Sequence, residues 1–331
     1  MAEVVRFAIV GSGMGYDRAR KAASTPGAQL VAICTLDPER GRRAAEELGC
    51  ELMDDYAALL AREDIDVVGI LTPSGWHCDF AIQALKAGKH VFTTKPMDIR
   101  LEKCDAAIRA AQEAGKVFAV DFESRYAPIN HQIRQAVRSG ALGRVFSAEL
   151  RMKWYRTQGY YDGGTPAGWR SRLETEGGSA ANQAVHYLDL LQWWLGPVQS
   201  LQGRMGTFTH KIETEDNTQA LLTFASGAWG LVQTSTSNFP DLGTAIEISG
   251  DQGTLIWKDN QVTLFRTLTE EAPSLEAYPV DAALPRNIIE DMLAAIRAGK
   301  TPQCPPEEGR KSVALFNAIY TSARTQRPVE P

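Results

Sequence analysis

Val5 to Val10 (Val-Arg-Phe-Ala-Ile-Val) is a short, nearly unbroken apolar run that stops at a glycine, and similar runs return at 29–34, 66–71, 90–93 and 116–120. Apolar runs of this length bounded by turn signals read as buried strands. Between them the pattern turns helical: Asp17 to Ser24, a segment opened by Asp37-Pro38 with proline in a tolerated first-turn position, Trp76 to Ala87, and Leu101 to Glu113. Strands alternating with helices predict a parallel sheet with right-handed crossovers. The alternation fades after about residue 123. From 143 onward come longer runs rich in Thr, Val, Phe and Trp at 145–155, 198–208, 217–224, 228–236, 244–249, 252–257 and 261–266. Turn signals such as Ser226-Gly227 and Gly250-Asp251 separate them, which reads as an antiparallel sheet. One helix is expected at 179–195, and two more, near 286–298 and 307–325, close the chain. The fold class expected is α/β: a doubly wound parallel sheet over 1–123, then an α/β domain over 124–331 built on an open, mainly antiparallel sheet.

Composition narrows the functions. A length of 331 residues fits about two domains. The net charge of −5, with no run of Lys or Arg, argues against nucleic acid or an anionic membrane as partner. No 18-residue apolar span exists and Met-Ala-Glu-Val-Val-Arg lacks a signal-peptide pattern, so a cytoplasmic protein is expected. Cysteines 34, 50, 78, 104 and 304 form no Cys-x-x-Cys pair and suit free thiols in a reducing compartment. Five histidines without ligand spacing predict no metal site.

The first chemical signal is Gly11-Ser12-Gly13-Met14-Gly15, placed between a strand and a helix. Small residues there let the backbone approach a pyrophosphate at a helix N-terminus, the mark of a Rossmann domain. The third glycine stands at 15, and Tyr16 occupies the position where the fingerprint has it. After the second strand the chain reads Cys34-Thr35-Leu36-Asp37. Thr35 does not repel a 2′-phosphate and Arg40 is close enough to accept one, while Asp37 can bind a ribose or cap the next helix. NAD and NADP both remain open. Further on, Ala-Gly-Lys-His-Val-Phe-Thr-Thr-Lys-Pro (87–96) puts Lys95 at the tip of a strand, where open α/β sheets bind ligands, with Pro96 ending the strand. Strand-end lysines are more often idle and solvated, so Lys95 gains weight only from its company.

That company is Gly177-Gly178-Ser179-Ala180-Ala181-Asn182-Gln183-Ala184-Val185-His186-Tyr187-Leu188-Asp189. Asn182 and His186 are i and i+4 on one helix face, with Asp189 a turn further, while Val185, Leu188 and Leu195 form a core-facing stripe. Alcohol oxidation needs a proton acceptor while hydride leaves carbon, and histidine suits that role near neutrality. Lys95 can orient the hydroxyl, stabilise oxyanion charge or act as the base itself. Lys95 and His186 are therefore complementary, and which is the principal base stays open. The segment from Lys153 to Gly164, with Trp169 and Arg170, mixes aromatic and polar groups suited to sugar rings; its Tyr155, with Trp169 and Arg170, are candidate substrate contacts. Arg125 and Tyr126 follow the last parallel strand and are expected at the same crevice. Trp193-Trp194 reads as core, and His210 with Glu213-Thr214-Glu215-Asp216 as a solvated strand connection.

Taken in order, Thr72-Pro73-Ser74-Gly75-Trp76-His77, the Ala-Gly-Lys-His-Val strand, Lys95-Pro96, the Gly177 to Asp189 run and Tyr320-Thr-Ser-Ala-Arg-Thr resemble the glucose-fructose oxidoreductase/inositol dehydrogenase/MocA family (Gfo/Idh/MocA) over nearly the whole chain. The resemblance implies NAD or NADP as cofactor, held with help from Thr72, Pro73, His77, Thr94, Lys95 and Pro96. It also implies Lys95, Asn182 and His186 as the catalytic set, sugars, cyclitols or nucleotide sugars as substrates, and a homodimer or homotetramer built through the C-terminal sheet. Three features depart from the family pattern: Thr94 replaces a glutamate, Thr35 replaces an acid after the second strand, and the glycine motif is shortened. Two rival functions remain on this fold: a redox-assisted glycosidase or lyase that returns its hydride, and a noncatalytic dinucleotide-binding regulator.

Overall fold

In the computed structural model, which describes residues 4–269 and 273–331, the early apolar runs all become strands of one parallel sheet. The chain runs β1 (Val5–Val10), α1 (Gly15–Ser24), β2 (Ala28–Cys34), α2 (Pro38–Leu48), β3 (Glu51–Met53), α3 (Tyr56–Leu60), β4 (Val67–Ile70), α4 (His77–Lys86), β5 (His90–Thr94), α5 (Leu101–Ala114) and β6 (Phe118–Asp121). The spatial order is β3-β2-β1-β4-β5-β6. Phe7, Ala8, Ile9, Val67, Val68 and Ile70 are fully buried. Helices cover both faces of such a sheet, which is why its strands read as continuous apolar runs. β3 escaped the sequence reading because three residues with exposed or half-buried side chains make no apolar run, and α3 because five residues are too few to show a helical period.

The second sheet follows α6 (Pro128–Arg138), which the sequence pattern did not reveal. It comprises β7 (Val145–Lys153), then, after the short α7 (Gln158–Asp162) and α8 (Val185–Leu195), β8 (Val198–Gly206), β9 (Asn217–Phe224), β10 (Trp229–Ser235), β11 (Thr244–Gly250), β12 (Gly253–Lys258) and β13 (Gln261–Thr267). Their order is β13-β12-β11-β7-β10-β9-β8. All neighbours are antiparallel except β7 and β10, which run parallel. Alternate residues, among them Leu150, Met152, Leu222, Val232, Ile246 and Leu255, are buried on one face, the period of two that a half-covered sheet requires. Trp193 and Trp194 are core as expected, with the Trp194 ring 6.3 Å from that of Trp257.

Two further helices, α9 (Ile288–Ala298) and α10 (Pro306–Thr325), close the chain. The division into compact units departs from the expected boundary in one respect. Residues 163–169 and 285–310 pack with residues 1–123, leaving 124–162, 170–284 and 311–331 as the second unit. Hydrogen bonds explain the return: Val120 N donates to Cys304 O at 2.9 Å, and Arg297 Nη2 donates to Gly27 O at 2.9 Å. Among the described residues no helix is long and apolar enough to cross a membrane.

Candidate functional site

In the parallel-sheet unit, the chain leaves β1 through Gly11, whose φ is +107°. A Cβ there would lie 2.4 Å from the Leu71 carbonyl oxygen, so only glycine fits. Gly13 is different. Its missing side chain would meet nothing within 4 Å. Directly behind it α1 starts without any side chain capping its N-terminus, and Met14 at the cap position is 51% exposed. Unsatisfied helix amides beside open space make an anion seat, and glycine residues keep it clear. Ser12 Oγ lies 2.8 Å from Thr35 Oγ1, tying the loop to the end of β2. Asp37 proves to be the N-cap of α2: its carboxylate accepts from the Arg40 amide at 3.0 Å and faces the Arg40 side chain at 3.5 Å.

The loops after β4 and β5 are held to each other by His77. One ring nitrogen lies 2.8 Å from the Thr72 carbonyl and the other 2.8 Å from the Pro96 carbonyl. Burial, with Lys95 adding its positive charge, pushes the His77 pKa down to about 4 against the pull of those two carbonyls. His77 therefore shapes this corner, while the buried Lys95 immediately follows β5 and joins Pro96 through a cis peptide. Thr94 stands opposite Asp121 in the β5–β6 register, so the two side chains share a face of the sheet. Asp121 Oδ2 accepts from Arg18 at 2.7 Å. The buried Thr94 hydroxyl and Asp121 Oδ1 have no hydrogen-bond partner among the described residues. Such atoms are costly in a finished site. They fit a polar cofactor group at the tips of β5 and β6, and the open seat at Gly13 fits its phosphates.

In the second unit the expected helix from 179 to 195 is interrupted. Ser179–Gln183 forms a π turn and α8 begins at Val185. The Glu215 carboxylate anchors the start of this turn, accepting from Ser179 Oγ at 2.7 Å, the Ala180 amide at 2.8 Å and Tyr320 Oη at 2.9 Å. Gly178, at φ +91°, has no room for a Cβ, which would lie 2.6 Å from the Glu215 carbonyl oxygen. Asn182 on the turn and His186 in the first turn of α8 are both half-buried. π turns inside helices recur where side chains must be aimed.

The third member of the expected polar row, Asp189, points elsewhere. It binds Arg125 through two hydrogen bonds of 2.8 Å, both partners being buried, so the Arg125 guanidinium is committed to an internal ion pair and does not border an open cleft. Tyr126 is buried as well. Tyr155 is exposed and packs edge-on against Phe239 at 5.3 Å. Arg170 lies over the Tyr160 ring at 4.7 Å, and Trp169 belongs to the short segment that packs with the first unit. Sequence reasoning missed Glu176, Gln183, Glu215 and Tyr320 as site supports. Gln183 and Tyr320 lie inside segments already singled out for their resemblance, and Glu176 stands just before Gly177-Gly178.

The 210–216 connection corrects the expectation in part: Lys211 and Glu213 are exposed, as a solvated connection requires, but Thr214, Glu215 and Asp216 are buried. Asp216 accepts from the amides of Phe208 at 2.9 Å, Thr209 at 2.9 Å and His210 at 3.1 Å. Burial alone would raise its pKa, but the Thr209 and Phe208 amides, Asn217 and His210 carry it far below the usual carboxylate range. A depressed carboxylate stabilises the fold fully above its unfolded pKa and loses that contribution as pH falls toward the folded one. Asp216→Ala is therefore expected to cost at least about 3 kcal/mol at pH 7, through orphaned amides. The gap from wild type should narrow below pH 4 in thermal melts; an equal gap at pH 7 and pH 3 would refute the charge-based account.

Comparison with known proteins finds relatives for both parts of the chain. Residues 5–122 match the model of an oxidoreductase family with an NAD-binding Rossmann fold, and residues 130–256 match the GFO/IDH/MocA C-terminal domain. The D-apiose dehydrogenase of Paraburkholderia graminis is 30% identical over 92% of this chain and 83% of its own. The scyllo-inositol 2-dehydrogenase (NAD(+)) of Bacillus subtilis is 27% identical over 100% of this chain and 97% of its own. Among solved structures, the WlbA dehydrogenase of Bordetella pertussis, in complex with NADH and UDP-GlcNAcA, superposes with a TM-score of 0.90 at 30% identity, covering 99% of both chains.

Proposed function

The chain belongs to the GFO/IDH/MocA family and is an NAD-binding oxidoreductase, and from that premise we propose that it oxidises a hydroxyl of a sugar, cyclitol or nucleotide sugar, with His186 as the proton acceptor. The observation that carries the reading is the nucleotide seat: an uncapped α1 N-terminus beside the open space at Gly13, with the partnerless Thr94 and Asp121 oxygens at the strand tips. Bound NAD supplies the hydride acceptor. His186 takes the hydroxyl proton, a role that imidazole suits near neutral pH. Lys95 binds the reacting oxygen and stabilises the negative charge that develops on it. Asn182 orients the substrate from the π turn, and Thr94 offers its hydroxyl to the cofactor.

The names of the relatives supply a test panel: D-apiose, scyllo-inositol and UDP-GlcNAcA, each with NAD and NADP, followed by the absorbance of reduced nicotinamide. Reduced cofactor released in step with product supports the dehydrogenase. Product without net reduced cofactor would favour redox-assisted bond cleavage, and inactivity across the panel would sink the reading.

The second sheet supports a homo-oligomer. On its uncovered face Leu221 stands opposite Leu231, with Trp229 beside them, and the three are 63%, 39% and 74% exposed in the single chain. An apolar patch of this kind on a sheet face marks an association surface. Trp229→Lys is expected to shift the protein toward monomer in light scattering without unfolding it; an unchanged mass would exclude this face.

A further inference from the structure

A buried carboxylate fixes the direction of a chain of hydrogen bonds beside His186. Glu176 is 1% exposed. Its Oε1 accepts from the Gly177 amide at 3.0 Å and its Oε2 from Asn182 Nδ2. With both carboxyl oxygens accepting, Asn182 turns its NH₂ group toward Glu176 and its Oδ1 the other way. Gln183 Nε2 lies 3.3 Å from that Oδ1 and must donate to it. The same Nε2 lies 2.6 Å from Tyr160 Oη, so the phenol oxygen is the acceptor there. Each member is forced by the one before it. The Tyr160 proton is left pointing away from Gln183, and among the described residues it has no acceptor.

The phenol is half-buried, and two guanidinium groups lie over its ring, Arg170 at 4.7 Å and Arg156 at 5.6 Å. Burial raises its pKa despite the Arg170 charge, so the hydroxyl keeps its proton at neutral pH. A hydroxyl that is aimed, protonated and unspent is a ready donor, and positive charge beside it favours an oxygen acceptor rich in electron density.

We propose that Tyr160 is a substrate-contact residue that donates a hydrogen bond to a hydroxyl or carboxylate oxygen of the sugar-like substrate, and that Glu176, Asn182 and Gln183 act as positioning residues that set its direction. The inference rests on the dehydrogenase reading above and adds a specificity determinant to it. A site built to donate to a substrate oxygen loses discrimination when that donor is removed.

The test is steady-state kinetics at saturating NAD with D-apiose, scyllo-inositol and UDP-GlcNAcA, alongside NADH affinity by fluorescence. Tyr160→Phe is expected to lower kcat/KM roughly 10- to 100-fold on the substrate that wild type prefers, mostly through KM, with NADH affinity unchanged. A larger effect on UDP-GlcNAcA than on the neutral compounds identifies a carboxylate as the acceptor, and the reverse identifies a hydroxyl. Gln183→Glu inverts the relay: its carboxylate would accept from Tyr160 and turn the proton inward. It should reproduce the loss, and Tyr160→Phe in that background should add nothing further. A purely structural role would instead give losses that multiply. Should Gln183→Glu fail to fold, Tyr160→Phe alone decides. Kinetics within twofold of wild type, or multiplying losses, would overturn the proposal while leaving the dehydrogenase standing. A wild type inactive on the whole panel overturns both.

Discussion

His186→Ala is expected to lower kcat by at least roughly a hundredfold while NADH still binds with wild-type affinity. The side chain stands in the first turn of α8, directly after the π turn that Glu215 and Gly178 hold in place. Alanine is the best helix former, so the substitution removes the imidazole and leaves the turn. His186→Gln sharpens the result. It keeps a hydrogen-bonding group of similar reach but one that cannot take a proton, and should be nearly as slow. Stopped-flow measurement of hydride transfer in the two variants separates proton transfer from binding. A His186→Ala enzyme with wild-type turnover would move the proton-accepting role elsewhere, with Lys95 the first candidate.

Gly13→Val should abolish cofactor binding, with NADH affinity falling at least about a hundredfold, while the melting temperature hardly changes. The two halves of this expectation rest on one observation: a side chain at 13 meets no protein atom within 4 Å. The fold therefore tolerates valine, and the collision is with the phosphates that close approach of the backbone would admit. Gly11→Val is the contrast. There a Cβ lies 2.4 Å from the Leu71 carbonyl oxygen at a φ of +107°, so the variant should lose stability as well as binding. Normal NADH titration of Gly13→Val would remove the glycine loop from the cofactor site.

Much of the parallel sheet was legible because a strand buried on both faces needs a nearly continuous apolar stretch, and β1, β2, β4, β5 and β6 are each built around one. The second sheet was legible through its alternation, and the order of its strands was not. The parallel pairing of β7 with β10 joins segments far apart in sequence, and no local pattern records that. Among site residues, the glycine loop, Lys95 and His77 stand at strand ends or helix starts, positions that spacing alone defines. Arg125 was misjudged because proximity to a strand end says nothing about whether a buried Asp189 waits for it. The same limit hid Glu215, whose acidic neighbours Glu213 and Asp216 make the run read as surface until its donors Ser179, Ala180 and Tyr320 are in place. The Glu176 relay is invisible for a related reason: its logic lies in which atoms donate, and that follows only from contacts.

The hydrogen bond from Val120 to Cys304 also orders events in time. β6 is the last strand of its sheet, and an uncovered edge is a template for pairing with other chains. A ribosome making roughly 5–20 residues per second needs about ten to forty seconds to travel from one partner to the other. During that interval the nascent chain already carries its glycine loop and its parallel strands but not the segment that seals the edge. Chaperone dependence during synthesis, and aggregation of chains that terminate before residue 304, are the cellular signatures to look for.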